Sequence, residues 1–405
     1  VRPLRLDDRS PPTAQYTWSI RSEDEGHAAL VAELAPSVVA LGWGVDLVAG
    51  HGHVVATAEG APSPEGHQRW TPLPTGLNEL RTPTAGTFDD LERRHQASLV
   101  RTSLAEGAPF NPPPPLAVFA RQAYAHDGEA PGRRFAALTF MDPEADRFKS
   151  YDTVRRGAVA AGQFRHAAEQ AALRSGRPDA EVRHLVMGHG EGTSRFLFMP
   201  LPSIEPRGSG ETVGSIRRVL ITSTDLQSDD VAWLARALEG HTLIDEKQQR
   251  PAAVLAEAPR SDRTVARYVA ASSEWVTVTP VVLPGHDDPG GVLEQLKKKP
   301  PAAEQRKLLL RLDRRRDALL RKALRQAGFP DELVFNAHLE FRATGFMAGC
   351  DLVDRYFAPS HLAGHPRLHV KLRWRGARGE PVAVRGPICV GRGRFSGMGL
   401  FVSVP

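Results

Sequence analysis

Chemistry in this 405-residue chain falls to its fifteen histidines, because the sequence holds no Cys/His cluster, no Gly-x-Ser-x-Gly and no His-Glu-x-x-His. The stretch MGHGEG (187–192) sets His189 between glycines, at what reads as the end of a strand and within reach of a ligand crossing a sheet. His184 lies earlier in the same run, VRHLVMG (182–188), and His361, His365 and His369 lead into a cationic strand. Each of these also reads as a packing or surface histidine. The reaction that suits them is RNA cleavage without metal. There an imidazole takes the proton of a 2′-hydroxyl or returns one to the leaving 5′-oxygen, while Arg or Lys steadies the pentacoordinate phosphate. His189 is the first choice for that role, with His184 and His361 as alternatives. No metal and no cofactor are expected. Cys350 and Cys389 stand alone and far apart, and no closely spaced Asp/Glu set accompanies the basic elements, which argues against a two-metal DNA nuclease.

A polyanion partner follows from how the charge is distributed. Residues 297–325 carry twelve Lys/Arg against Glu304, Asp313 and Asp317, a local +9 on a chain whose total is +5. The helix expected over 301–328 buries a stripe of Leu308, Leu312, Leu319 and Ala323. Its arginines, among them Arg314, Arg315, Arg316 and Arg321, are left for solvent or for phosphate, and the unneutralised surplus favours phosphate. In HVKLRWR (369–375), strand alternation sends Val370, Leu372 and Trp374 to one face and His369, Lys371, Arg373 and Arg375 to the other.

Near the carboxyl end stands GRGRFSGMGL (391–400), with Gly391, Gly393, Gly397 and Gly399 around Arg392 and Arg394. Glycine lets a backbone approach something closely: a nucleotide phosphate, an RNA backbone or the chain's own core. A nucleotide loop is excluded, since no Gly-Lys-Ser/Thr occurs and too little chain follows for a kinase. A glycine-rich hairpin and an RNA cradle remain. The two arginines beside backbone N–H groups favour the cradle, in one anionic groove with the cationic strand.

These residues need strands and helices to hold them, and the chain supplies both. A helix is expected over 152–176, ending at Gly176 and Pro178, which read as a domain boundary. Beyond it, strands at 182–188, 195–202, 215–223, 275–283, 334–341 and 369–374 alternate with helices at 229–240 and 301–328. The fold class is α+β, and two successive α/β sandwiches with four-stranded antiparallel sheets fit the count. No residue-level repeat is present. The apolar stretch over 28–49 is broken by Glu33, Pro36, Gly42, Gly44 and Asp46 and cannot span a bilayer, and two cysteines place the chain by default in a reducing cytoplasm.

GPICVGRGRFSGMGLF (386–401) resembles the terminal glycine-rich loop of the RAMP superfamily of CRISPR-associated proteins. WVTVTPVVLPGHD (275–287), RFLFMPLPS (195–203) preceded by MGH, and IRRVLI (216–221) resemble a narrower family, the type I-G (formerly I-U) Cascade subunit in which Cas-five and Cas-six proteins are fused. The resemblance covers about residues 180–405. It implies tandem ferredoxin-like domains: a Cas-five-like one over 1–176 and a Cas-six-like region with two such folds over 177–405. The implied activity is a metal-independent endoribonuclease that cuts precursor CRISPR RNA and stays on the mature RNA. Its partners would be the other Cascade subunits and, through the complex, target DNA; a non-catalytic RNA-binding scaffold is the alternative. His189 matches the Gly-His of the family motif. The chain opens on Val1, and the first strand of a usual Cas-five fold is not visible before it, so that half is expected to be cut short or reduced.

Overall fold

The computed structural model describes residues 25–37, short pieces between 40 and 82, and then 83–102, 118–126, 132–144, 147–188, 194–208, 210–225, 230–245, 250–258, 262–288 and 290–404. Two units divide the chain, Val1–His67 and Gln68–Pro405. The described part of the first contains a helix, Glu25–Leu34, and a short antiparallel pair, Ala40–Leu41 with Asp46–Leu47.

The second unit begins with a three-stranded antiparallel sheet, in which Ala120–His126 lies between Trp70–Pro72 and Asn78–Thr82. Two larger folds follow. The first has strands Phe135–Met141, Phe196–Arg207, Gly210–Ser223 and Arg250–Glu257, with helices Thr153–Arg174 and Asp230–Leu238 between them. Numbered in chain order, its four strands lie 4-1-3-2 across the sheet, all antiparallel, and Thr242–Asp245 adds an edge strand beside the fourth.

Sequence explains the placement of these strands. FAALTFM lies in the interior of the sheet and is buried almost throughout. Phe196–Arg207 carries Pro200, Pro202 and Pro206, which donate no N–H, and it occupies the sheet edge where that loss is tolerated. Its alternation serves two cores. Phe196 and Phe198 pack with Phe164 and the alanines of helix Thr153–Arg174, while Leu197, Met199 and Leu201 face the second fold. That helix starts at Asp152, whose carboxylate accepts from the amides of Val154 and Arg155, and its buried Ala160, Ala161, Ala167, Ala168, Ala171 and Ala172 allow close packing on the sheet.

The second fold has the same order. Glu274–Thr277, His338–Arg342, Arg367–Arg373 and Phe401–Ser403 again lie 4-1-3-2, with Val281–Val282 pairing to Leu368 and Arg367. The basic helix Ala302–Gln326 occupies the first crossover, and its Leu319, Leu320 and Leu324 cover Trp275, Leu372, Trp374 and Phe401. Leu308, Leu312, Leu319 and Ala323 are all buried, as their spacing requires. Between strands three and four the first fold has a nine-residue helix; the second has residues 374–400, whose one helical piece is the three-residue turn Arg394–Ser396.

Three expectations need correction. The boundary at Gly176 falls inside one fold, because Phe135–Met141 sits in the middle of the sheet that 196–257 complete. The division between units lies at 67/68 instead. Residues 182–188 do not form a strand: Asp179–Val182 is helical and Arg183–Met187 is a π-type turn ended by Gly188 at φ +73°. Asn336 ends a helix, Asp331–Asn336, so the strand expected from 334 begins at His338.

Candidate functional site

The glycine-rich loop is built against the chain's own core. A Cβ at Gly399, where φ is +78°, would meet the Val390 carbonyl at 1.9 Å, and one at Gly391 would meet the Val282 carbonyl at 2.6 Å. Gly393 is pressed on Val282 and Met398, and Gly397 on Pro200 of the first fold. All four are buried. The amides of Val390, Arg392, Arg394, Ser396 and Met398 donate to carbonyls of Gly399, Val282, Gly391, Gly393 and Gly393 in turn. These five amides are thus held inside the chain, and the charged groups of the loop are two side chains: Arg392 is exposed and Arg394 half-buried.

The cationic strand face is also corrected. Val370, Leu372 and Trp374 are buried as alternation requires, but His369 is buried too. Lys371 and Arg373 both bind the Glu274 carboxylate, and Arg373 also binds Glu340, so carboxylates of the two flanking strands neutralise this face. Arg375 donates to the Gly379 carbonyl at 3.2 Å. No sequence pattern marked Glu274 and Glu340 as partners, because strand order alone puts them on either side of 371–373.

The basic helix divides its arginines by task. Arg321 binds Asp317 and the carbonyls of Val334, Phe335 and Ala337, closing the end of the following helix. Arg316 donates to the buried carboxylate of Asp287 at 2.7 Å, and Arg315 to the His286 carbonyl at 3.1 Å. These two residues hold the loop 283–288 against the helix. Arg314 is exposed and faces outward with Arg311 and Arg306.

His189, the first choice from sequence, lies outside the described residues. His184 sits in the π-type turn, half-buried, with Nδ1 buried and unpartnered. His361 is exposed on the short helix Ser360–Ala363 and belongs to a group that sequence did not assemble. In that group the His286 and His365 rings stack with centroids 6.0 Å apart, and Arg392 and His361 stand near enough to act on His365 electrostatically. Burial, then Arg392, His286 and His361 in that order, lower the pKa of His365 and favour its neutral form. The Nδ1 of His365 is buried without a partner.

His369, four residues on, is a structural histidine. Its Nδ1 meets the Thr277 hydroxyl and its Nε2 the Asp351 carbonyl, both at 3.1 Å. Because the Thr277 oxygen already accepts from the Val370 amide, its hydrogen is free to go to Nδ1, which puts the ring proton on Nε2. Burial carries the pKa of His369 down to about 4, with Asp351 opposing and Arg342 assisting.

A Gly-His signal existed for the group at His365 but was not selective. Eight of the fifteen histidines follow a glycine, so the pattern that drew attention to His189 is equally present at His286 and His365. What unites these two is the pairing of 281–282 with 367–368, which starts both approach segments from one point in the sheet. Among the described residues no three His, Cys, Asp or Glu side chains form a metal-ligand set, and no helix is long and apolar enough to cross a membrane. Cys350 and Cys389 are free thiols.

Comparison with solved structures finds similarity to a chain described as a Cas6 product complex, at 13% identity and a TM-score of 0.32, covering 67% of this chain and 98% of that one. No curated protein matches. The family model for the CRISPR-associated protein, GSU0054 family, matches residues 1–403. The chain belongs to that CRISPR-associated family.

Proposed function

We propose that this CRISPR-associated protein is an endoribonuclease that cuts repeats of precursor CRISPR RNA without a metal and remains on the mature RNA as a subunit of a type I-G Cascade complex. The two β-rich folds, each in 4-1-3-2 order, fit tandem ferredoxin-like domains of the RAMP class. The observation that carries the reading is the stacked His286–His365 pair with Arg392 beside it, at the edge of the basic helix. Neutral His365 accepts the 2′-hydroxyl proton as the 2′-oxygen attacks phosphorus. The P–O5′ bond breaks, and His286 in its protonated form returns a proton to the 5′-oxygen. Arg392 offsets the charge that develops on the phosphorane oxygens. The products are a 2′,3′-cyclic phosphate and a 5′-hydroxyl.

Cleavage of a cognate repeat RNA in EDTA tests the reading. His365→Ala and His286→Ala are each expected to slow single-turnover cleavage by about 10²–10⁴-fold, the usual reach of general acid–base catalysis, with repeat binding nearly unchanged. His189 is the competing position for the catalyst. Loss of cleavage in His189→Ala, with both cluster variants active, would move the chemistry there. Tight repeat binding without any cleavage would select the scaffold role.

A further inference from the structure

Arg392 and Arg394 are two residues apart, yet they belong to different surroundings. Arg394 turns to a second cationic group, where its guanidinium and that of Arg195 lie over the Phe395 ring at 4.5 and 4.1 Å from the centroid. Arg165, on helix Thr153–Arg174, is close enough to Arg195 for the two charges to repel, as Arg394 is to both Arg195 and Arg133. Burial, followed by this mutual repulsion, lowers the pKa of Arg133 and Arg165; burial lowers that of Arg394, opposed by Cys389 and assisted by Arg195, and burial lowers that of Arg195.

Among the described residues none of the four pairs with a carboxylate. Arg133 is spent on structure, donating to carbonyls of Ala327, Ser223 and Thr224. The other three keep most of their donors: a guanidinium has five, whereas Arg394 makes one bond, to Gly391 at 3.1 Å, and Arg195 one long one, to Met187 at 3.5 Å. No bond from Arg165 to a described group is formed. Beside Arg394 and Arg133 a cavity of about 150 Å³ opens between the end of the basic helix and the glycine-rich loop, with Thr222, Thr224 and Gln326 on its wall. Half-buried like charges with unused donors and no anion are unfavourable as they stand, and a group with several acceptor oxygens would relieve them.

We propose that Arg394, Arg195 and Arg165 form a phosphate-binding site between the two folds, distinct from the histidine group beside Arg392. The ligand chemistry is a phosphate group, held by charge-assisted hydrogen bonds; it can belong to the backbone of a bound RNA or be a free or terminal phosphate. This site needs no cleavage activity, so it stands or falls separately from the nuclease reading.

Two measurements on the full chain test it. Thermal unfolding in inorganic phosphate is compared with chloride at equal ionic strength, for the wild type, Arg195→Gln, Arg394→Gln and Arg165→Gln. Binding of a repeat RNA is followed against salt in the same four proteins. A free or terminal phosphate predicts a Tm higher in phosphate than in chloride by a few degrees, with the difference lost in the variants. A backbone phosphate predicts no such difference, but a log K against log salt slope shallower by about 0.7 for each contact removed. Should Arg394→Gln fail to fold, Arg165→Gln supplies the same comparison. The site is refuted if phosphate and chloride give the same Tm in every protein and the salt slope is unchanged in every variant that folds.

Discussion

His365 and His369 share one segment and a pKa lowered by burial, but they differ in what their ring nitrogens bind. The first has an unpartnered ring nitrogen and neighbours of positive charge, whereas the second has both nitrogens bonded inside the core. Arg392 lowers the pKa of His365 by disfavouring the imidazolium, so removing that charge must raise it. If His365 is the base, Arg392→Gln is expected to move the acid limb of the kcat/KM–pH profile to higher pH, besides slowing cleavage. An unmoved limb would remove His365 from that role. His369 makes a separate prediction about stability. Its folded pKa of about 4 lies below the ordinary value of 6.5, so between those pH values the unfolded chain binds a proton that the folded chain does not. Stability therefore falls as pH drops through that window, by roughly 3 kcal/mol from this group alone. His369→Leu should flatten that part of the urea-unfolding profile, at a cost of ~1–3 kcal/mol near neutral pH for the stranded Thr277 hydroxyl and Asp351 carbonyl.

At the scale of elements, the basic helix and the glycine-rich loop each do more structural work than composition suggests. The helix's apolar stripe was legible because period 3.6 registers directly in the spacing of its leucines, but its arginines look alike in sequence. Contacts separate them: Arg321 joins Asp317 and three carbonyls, and Arg314 is exposed. Arg321→Ala should lower stability by about 2–3 kcal/mol through lost charge-assisted bonds, measured by chemical denaturation. Arg314→Gln should leave stability within about 0.5 kcal/mol and weaken RNA binding with a shallower salt slope. For the loop, Gly399→Ala is expected to destabilise by at least ~2 kcal/mol, since it adds a left-handed backbone penalty to a clash with Val390. A loop made for RNA contact would instead tolerate alanine in folding and lose affinity. The π-type turn at 183–187 reads as a strand in sequence because its apolar run, Leu185 to Met187, is too short to show a period of its own.

On the scale of the whole molecule, the two folds share a core. Leu197, Met199 and Leu201 of one sheet pack with Val276, Val278 and Val402 of the other, and the Tyr268 hydroxyl, fully buried, donates to the Pro202 carbonyl at 2.7 Å. A chain starting at residue 68 is accordingly expected to fold with one cooperative transition across both folds. A chain starting at 177 loses the strand from the middle of the first sheet together with the helix on it, and should give no cooperative unfolding transition. A folded 177–405 fragment would restore the boundary at Gly176.

Sequence by itself determined the α+β class, the alternating strands, the buried faces of the helices and the concentration of positive charge, because each of these is written in local spacing or local composition. Resemblance in its motifs pointed to the CRISPR-associated family that the family model matches. Tertiary structure decided which charges remain available. Glu274 and Glu340 reach Lys371 and Arg373 across strands far apart in sequence, and Asp287 reaches Arg316 across twenty-nine positions. Tertiary structure also brought His286 to His365, and Arg195 to Arg394, which no window of sequence contains. The physical reason is the same in each case: pairing and repulsion depend on distance in space, and strand order sets that distance.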